Sequence, residues 1–338
     1  MAIQAFAQNP QAALASLPEA DALIYVSPQR ILNEAAPRVV DPVELTKMRS
    51  TFADMKKAAG IEPSSVEYLV IAVRFNKPAS DLSFVAPDVM AVVGGDFSSE
   101  ALMNLGQLYL QDKVRVEQYG SKSITLMKID PIAVEAEKNP ILKPFTEIGV
   151  VPLSANSLAF GNLRYLKSAI DAANGNGRIS AASLESLLRD PNALISASGA
   201  PLASFAKSFG MMGLENTSRQ PNCDTRFGNF YAALTMTGTS FSLRGAMNAD
   251  NPDTARIIQG LLWGFMQQGI SAVSDKEAQT MLKALKMTAR ESEIVVEADV
   301  PDKVVADLLK SASKPKAEAA VKTSAPATKR PVRKKRTR

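Results

Sequence analysis

The sequence predicts an α+β fold in which mainly antiparallel sheets are covered by helices. Two apolar runs of strand length, Tyr68 to Phe75 and Val89 to Val93, lead into a capped helix, and a hairpin follows that helix. The same order returns later, where Phe230 to Met236 and Phe241 to Met247 precede another long helix. Consecutive hairpins with helices between them are typical of antiparallel sheets. We therefore expect two structural repeats.

The first repeat is predicted over residues 21–174. A strand from Ala22 to Val26 opens it, and helices begin at Pro28 and Pro42, since proline is favoured at the first helical position. The two-strand unit and its helix follow, and then the hairpin from Val114 to Ile129.

Downstream of this hairpin the chain is expected to be irregular between Pro131 and Pro152, because this stretch is interrupted by proline. A strand from Ser157 to Phe160 then leads into a helix. Leu163, Leu166 and Ile170 would form the apolar face of that helix.

The second repeat is predicted over residues 190–312, after a linker with a short helix at residues 175–189. A strand from Ala193 to Ala197 has the place of the opening strand. The two-strand unit, its helix and a hairpin between Leu285 and Val300 follow. The final helix, Asp302 to Leu309, matches the helix that closes the first repeat.

The basic charge of the chain lies in its last residues. The 338 residues carry a formal net charge of +5, yet residues 314–338 hold ten Lys or Arg and one Glu. This segment has a net charge of +9, so the rest of the chain carries −4. Residues 313–338 lack aromatic residues and are predicted to be disordered, because they bury too little to offset their ordering entropy.

The end of this tail is a candidate polyanion-binding segment. Such a segment would attract an anionic polymer or a membrane surface if the protein is exported, and nucleic acid if it is not. The alternative is a solvated tail that aids solubility. The candidate residues are Lys329, Arg330, Arg333, Lys334, Lys335, Arg336 and Arg338.

The first twenty residues are interpreted as the remnant of a signal peptide or as a disordered segment. Ala5-Phe-Ala7 followed by Gln8 fits the small-x-small end of a secretory signal, although the charged and apolar regions that precede such an end are missing. The match is either the end of a truncated signal or chance. The first case predicts a periplasmic or cell-envelope protein whose true start lies upstream of Met1, and the second a cytoplasmic one. No apolar run is long enough to cross a bilayer.

Composition removes most catalytic and metal chemistry. The chain has no histidine, which is the commonest general base and metal ligand. Its one cysteine, Cys223, lies in a polar stretch, so an intrachain disulfide is excluded and a thiolate metal site lacks a second ligand. We expect no cofactor and no metal.

Two short motifs suggest nucleotide or calcium chemistry and are better explained as turns. Gly94-Gly-Asp-Phe97 resembles part of the diguanylate cyclase signature, but it has one acidic residue before the phenylalanine instead of two and leaves a strand. Asn174 to Ile179 resembles the middle of an EF-hand loop. In that alignment the first and twelfth positions fall on Ala172 and Ser183, so the carboxylates that carry most of the affinity are missing.

A third motif concerns serine catalysis. Ser204-Phe-Ala-Lys207 and Ser154-Ala-Asn156 match two elements of penicillin-binding proteins and class A β-lactamases. Their order is reversed relative to that family, and the third element is missing. We predict no nucleophile here, because spacing alone does not place a base beside the serine.

The helix from Pro252 to Ile270 is the candidate for an apolar site, because its sequence is apolar nearly all round. It is expected to be buried on more than one side. The alternatives are a core helix between two layers, or a helix that lines an apolar ligand pocket or a dimer face.

Taken as a whole, the chain resembles exported bacterial α+β proteins of unknown function, over Ala20 to Ser313. This resemblance rests on pattern, so no site residues follow from it. We predict a non-catalytic cell-envelope or interaction protein with a polyanion-attracting tail and a protein partner or self-association. The alternative is an enzyme or an apolar-ligand-binding protein whose site has no recognisable motif.

Overall fold

The computed structural model has one twelve-stranded sheet flanked by helices, and every pair of neighbouring strands in its described part is antiparallel. The α+β prediction is therefore confirmed. The structure describes residues 14, 16–59, 62–76, 86–110, 114–129, 146–199, 227–272 and 276–312.

The middle of the sheet is formed by strands that are far apart in the chain. The strands are β1 (Ala22–Val26), β2 (Val66–Arg74), β3 (Asp88–Gly95), β4 (Val114–Tyr119), β5 (Lys122–Lys128), β6 (Glu147–Ser154), β7 (Ser157–Gly161), β8 (Ile195–Gly199), β9 (Phe227–Thr237), β10 (Ser240–Ala249), β11 (Lys286–Arg290) and β12 (Glu293–Pro301). Their order across the sheet is β11-β12-β10-β9-β8-β1-β2-β3-β7-β6-β5-β4. We call β1 to β7 the first half and β8 to β12 the second half.

The helices begin where the sequence places caps and prolines. Pro28 and Pro42 each occupy the first helical position, and Asn251 Oδ1 accepts a hydrogen bond from the amide of Thr254 at the start of the longest helix. The helices are α1 (Pro28–Arg30), a π-helical turn (Ile31–Ala35), α2 (Ala36–Val39), α3 (Pro42–Ala59), a 3₁₀ turn (Pro63–Ser65), α4 (Ser99–Leu110), α5 (Leu163–Ala173), α6 (Ala181–Leu187), α7 (Pro252–Ala272), α8 (Lys276–Ala284) and α9 (Asp302–Ala312).

Strand β6 corrects one prediction. Its first six residues lie in the stretch from Pro131 to Pro152 that is expected to be irregular, and the strand separates the hairpin β4-β5 from the rest of the first half. Proline lacks an N–H and is tolerated in a strand where the ladder is interrupted. Pro152 lies at such a place, because the register between β6 and β7 shifts between Pro152 and Ser154.

The register assigns side chains to the two faces of the sheet, because they alternate along each strand. We call the face that carries Leu23 face A, and the opposite face, which carries Val26, face B. On face A of the first half, α5 closes a dense core in which Leu166 is fully buried. A Cβ atom added to Gly149 would lie 2.5 Å from Leu166 Cδ1, so the helix packs directly onto β6 at this glycine. One row of this core runs through Leu23, Ala72, Met90, Gly161, Gly149 and Leu126.

The long helix α7 contacts β10, β11 and β12 of the second half and the helix α8. Ala255 and Ile258 are buried against the sheet, whereas Ile257 is 59% exposed and Trp263 is 43% exposed. The expectation that this helix is buried on more than one side is therefore not met at Ile257 and Trp263. An apolar residue on the outer side of a surface helix does not require a second layer.

Candidate functional site: an apolar pocket on the second half of the sheet

The candidate site is an apolar pocket on face B of the second half. Its floor consists of side chains that the strand register aligns across four strands. The first row runs through Ile195 on β8, Leu234 on β9, Leu243 on β10 and Ala298 on β12. Phe241 and Val300, which are paired between β10 and β12, form part of a second row.

The walls of the pocket come from two parts of the chain that are far apart in sequence. The segment from α1 to α2 contributes Ile31, Ala35 and Val39, which are four residues apart and therefore share one helical face. The helix α9 contributes Val305 and Leu309. All sixteen lining residues are apolar: Ile31, Ala35, Ala36, Val39, Val40, Leu194, Ile195, Leu234, Phe241, Leu243, Leu282, Leu285, Ala298, Val300, Val305 and Leu309.

The pocket has a volume of about 390 Å³. Small-molecule sites in proteins typically have volumes of about 300 to 1,000 Å³. Because an apolar cavity of about 150 Å³ takes up benzene, this one has room for roughly 15 non-hydrogen atoms. Leu309 is 42% exposed and so marks a side on which the pocket is open to solvent.

Small side chains and an irregular helix create this space. Ala35, Ala36 and Ala298 occupy lining positions where larger apolar residues would fill it. The wall segment includes the π-helical turn Ile31–Ala35. Turns of this kind occur frequently at functional sites.

A charged pair lies at the rim of the pocket. Arg38 Nε donates to Asp302 Oδ2 at 2.9 Å, and Arg38 Nη2 donates to Asp302 Oδ1 at 2.8 Å. Nη2 also donates to the carbonyl oxygen of Gly238 at 2.8 Å. The guanidinium carbon lies 5.3 Å from the centre of the Phe241 ring, which lines the pocket. The pair therefore joins α2, the β9-β10 turn and the start of α9 at one end of the pocket.

The described lining of the pocket is apolar throughout. Among the described residues, the lining side chains include no hydroxyl, amide or ionisable group, so none of them can act as an acid, a base or a nucleophile. Within the described ranges, no group of three or more Asp, Glu, Cys or His residues is arranged to hold a metal ion.

The most buried charge in the described residues lies away from this pocket, on face A of the first half. Asp88 interacts with Arg164 at 2.7 Å, with Arg74 at 3.0 Å and with the Asn162 side-chain amide at 2.9 Å. Burial raises the pKa of Asp88, but the hydrogen bonds from Arg164 and Arg74 outweigh it, and the pKa lies below its ordinary value of 3.8. Because Arg74 also stacks on Tyr165, the cluster fixes α5 to β2 and β3.

The short motifs have structural explanations. Gly94 and Gly95 are required by close packing, since a Cβ atom at Gly94 would lie 2.2 Å from the Tyr68 ring and one at Gly95 would lie 2.1 Å from the carbonyl oxygen of Ser65. The EF-hand-like loop after α5 is a turn in which Gly175 and Gly177 have positive φ angles.

Ser154 and Asn156 lie at the turn between β6 and β7. Ser154 Oγ donates to Asn156 Oδ1 at 2.9 Å, so this serine takes part in the turn. Cys223 and the Ser204 to Lys207 motif lie outside the described residues.

The seven candidate polyanion-binding residues, Lys329, Arg330, Arg333, Lys334, Lys335, Arg336 and Arg338, also lie outside the described residues. None of the helices in the described part of the chain combines the length and the apolar composition needed to cross a bilayer.

The sequence indicates α7 as a candidate for an apolar site, with a core helix as the alternative. The apolar pocket is instead lined by the segment from α1 to α2, by α8 and by α9. The apolar spacing of Ile31 and Ala35 is visible in the sequence. Residues 28–40 are far from the second half along the chain, so the sequence does not show that the two regions line one pocket.

Comparison with known proteins gives only weak structural similarities. No family model matches this chain, and no curated protein matches it. Among solved structures, crystal form III of TP0453 aligns with a TM-score of 0.46 and 10% identity over 88% of this chain and 97% of that one. Crystal form I of the same protein gives a TM-score of 0.44 and 11% identity over 88% and 96%. Similarity at this level implies neither a function nor a ligand for this chain.

Proposed function

We propose that this protein binds an apolar ligand in the pocket on face B of the second half and does not transform it. The observation that carries the proposal is a cavity of about 390 Å³ whose sixteen lining residues are all apolar. A site of this size and lining suits the hydrocarbon part of a small molecule.

The energetic cost of the empty pocket supports a binding role. At about 24 cal/mol per Å³, leaving 390 Å³ unfilled costs up to about 9 kcal/mol, and less to the extent that the pocket is open to water. That upper value is comparable with the whole stability of a typical protein, about 5 to 15 kcal/mol. Larger apolar residues at Ala36 or Ala298 would reduce this cost, so the presence of alanine at both positions favours a function that uses the space.

The experiment is a titration of the full chain with N-phenyl-1-naphthylamine, an uncharged fluorophore that brightens in apolar sites. We expect saturable binding at one site, and at least tenfold weaker binding in the variant Ala298→Leu, which fills the floor of the pocket. The matched control is Ala182→Leu on the exposed side of α6, which should bind like the natural chain. No saturable binding, or equal binding in both variants, would contradict the proposal.

A second proposal concerns the tail. Ten cationic residues against one acidic residue in residues 314–338 support electrostatic attraction to a polyanion, such as an envelope polymer or membrane surface if the protein is exported. Deleting residues 314–338 should abolish retention on heparin at low salt, and added salt should weaken retention of the full chain. Retention of the shortened chain equal to that of the full chain would exclude the tail as the binding element.

We further infer that the strands of the two halves arose by duplication. Read outward from the middle of the sheet, β1-β2-β3-β7-β6 and β8-β9-β10-β12-β11 follow the same order, which supports the inference. The helices α5 and α9 that follow β7 and β12 cover opposite faces, so the duplication is proposed for the strands alone. Superposition of the strands of each half is the test, and unrelated strand paths would exclude a common origin.

A further inference from the structure

Charged residues lie next to the apolar lining residues of two pocket walls. Arg38 directly precedes the lining residue Val39, and Asp302 precedes Val305 and Leu309 of α9 by three and seven residues. Residues three and seven apart lie on one side of an α-helix. The two charged side chains are hydrogen-bonded to each other, and the Arg38 guanidinium contacts the ring of the lining residue Phe241.

The guanidinium of Arg38 is only partly used by the protein. Asp302 accepts from Nε and Nη2, and the carbonyl oxygens of Gly238 and Ser240 also accept from Nη2. No acceptor for Nη1 is found among the described residues. The Arg38 and Asp302 side chains keep 23% and 22% of their surface exposed. Contact with the Phe241 ring holds the guanidinium beside the pocket.

We propose that the pocket takes single-chain amphiphiles with an anionic carboxylate head, and that Arg38 Nη1 binds this head at the rim. The inference rests on the proposed apolar-ligand function. Hydrogen bonds between ionised partners are stronger than neutral ones, so a carboxylate is preferred to a hydroxyl at this place. Asp302 opposes the same head by like-charge repulsion and so limits the affinity.

The volume of the pocket sets the length of the chain. Room for roughly 15 non-hydrogen atoms corresponds to a carboxylic acid of about twelve carbons. Each methylene buried up to that length should increase affinity roughly fourfold.

The test uses the full chain and three probes with a twelve-carbon chain: dodecanoate, dodecan-1-ol and dodecyltrimethylammonium, each below its micelle concentration. Competition against N-phenyl-1-naphthylamine measures their affinities. We expect dodecanoate to bind most tightly and the cation most weakly. In Arg38→Gln, the affinity for dodecanoate should fall about tenfold or more, whereas the affinity for dodecan-1-ol should change less than twofold.

The variant Asp302→Asn distinguishes a role of Arg38 in binding the carboxylate head from a purely structural role of the charged pair. If Arg38 binds the head, removing the competing charge should strengthen dodecanoate binding several-fold, and this variant tests the idea even if Arg38→Gln does not fold. If the pair only stabilises the pocket wall, both variants should weaken the binding of all three probes equally, which overturns the inference. Tight binding of the fluorophore and dodecan-1-ol without preference for dodecanoate also overturns it and leaves the apolar-ligand function intact. Failure of every probe overturns both.

Discussion

Five strands of the first half and the five strands of the second follow the same order outward from the middle of the sheet, but the helices that follow the matching strands β7 and β12 cover opposite faces. In the first half, α5 follows β7 and closes face A, where it belongs to a core with Leu23, Met90 and Leu126. In the second half, α9 follows β12 and covers face B, where Val305 packs near Phe241. The position of a strand in the sheet therefore does not determine which face the following helix covers.

The halves also differ in how completely the covered face is filled. Leu166 of α5 packs onto Gly149, so the helix lies directly on the strand. In the second half, α2 and α9 stand over a floor that includes Ala298, and a pocket remains between them. The first half therefore has the denser packing, and the second half has an open apolar space.

Truncating one leucine in each half tests this difference in packing. Leu166→Ala should reduce the free energy of unfolding by about 2 to 5 kcal/mol, because it leaves a cavity in a dense core. Leu234→Ala should cost about 1 to 2 kcal/mol, because Leu234 is half-buried and already borders a void. Urea denaturation measures both. Equal losses would mean that the pocket floor is packed as tightly as the first core.

The pH dependence of stability at Tyr68 tests whether the face A core of the first half excludes water. Burial raises the pKa of Tyr68 to about 12, against an ordinary value of 10.0. The folded state therefore favours the neutral phenol, and the stability linked to this group is present below pH 10 and lost as the pH rises from about 10 to 12. The loss should reach roughly 2 to 3 kcal/mol.

Tyr68→Phe provides the control for alkaline effects elsewhere in the chain, because it removes the ionising group. The difference in unfolding free energy between the two proteins should change over this pH range. A difference that stays constant from pH 9 to pH 12 would show that Tyr68 is solvated.

The sequence predicted most strands well because their alternation and their flanking turns are local. The strand Ala22–Val26 has the expected bounds, and Val114–Tyr119 begins the expected hairpin. Strand β6 was missed because Pro152 is a local signal against a strand, and only the register shift beside β7 accommodates it.

The pocket was beyond sequence reasoning for a different reason. Its floor depends on the register of four strands, and its wall comes from residues 28–40, which precede β8 by more than 150 residues. Local periodicity shows that Ile31 and Ala35 share a face, but it does not show which part of the sheet that face contacts. The absence of polar lining also removed any motif that a sequence could display.

Adding side-chain volume at one position in each half tests how completely the two covered faces are filled. Ala159→Leu places extra methylenes into the fully buried face A core and should cost about 1 to 3 kcal/mol. Ala298→Leu places the same atoms into the pocket, where space exists, and should change the free energy of unfolding by less than about 1 kcal/mol. Thermal and urea denaturation of the two variants are compared. A larger loss in Ala298→Leu than in Ala159→Leu would reverse the assignment of dense and open halves.

The smallest expected effect concerns the outer side of α7. Ile257 is 59% exposed, so Ile257→Ala should change the free energy of unfolding by less than about 0.5 kcal/mol. Its neighbour Ile258 is buried against the second half, and Ile258→Ala should cost several times more. Trp263, the one tryptophan of the chain, lies on the same helix and is 43% exposed, so its fluorescence should be quenched readily by iodide. A large loss in Ile257→Ala together with a shielded Trp263 would show that another molecule covers this side in solution, and α7 would then belong to an interface.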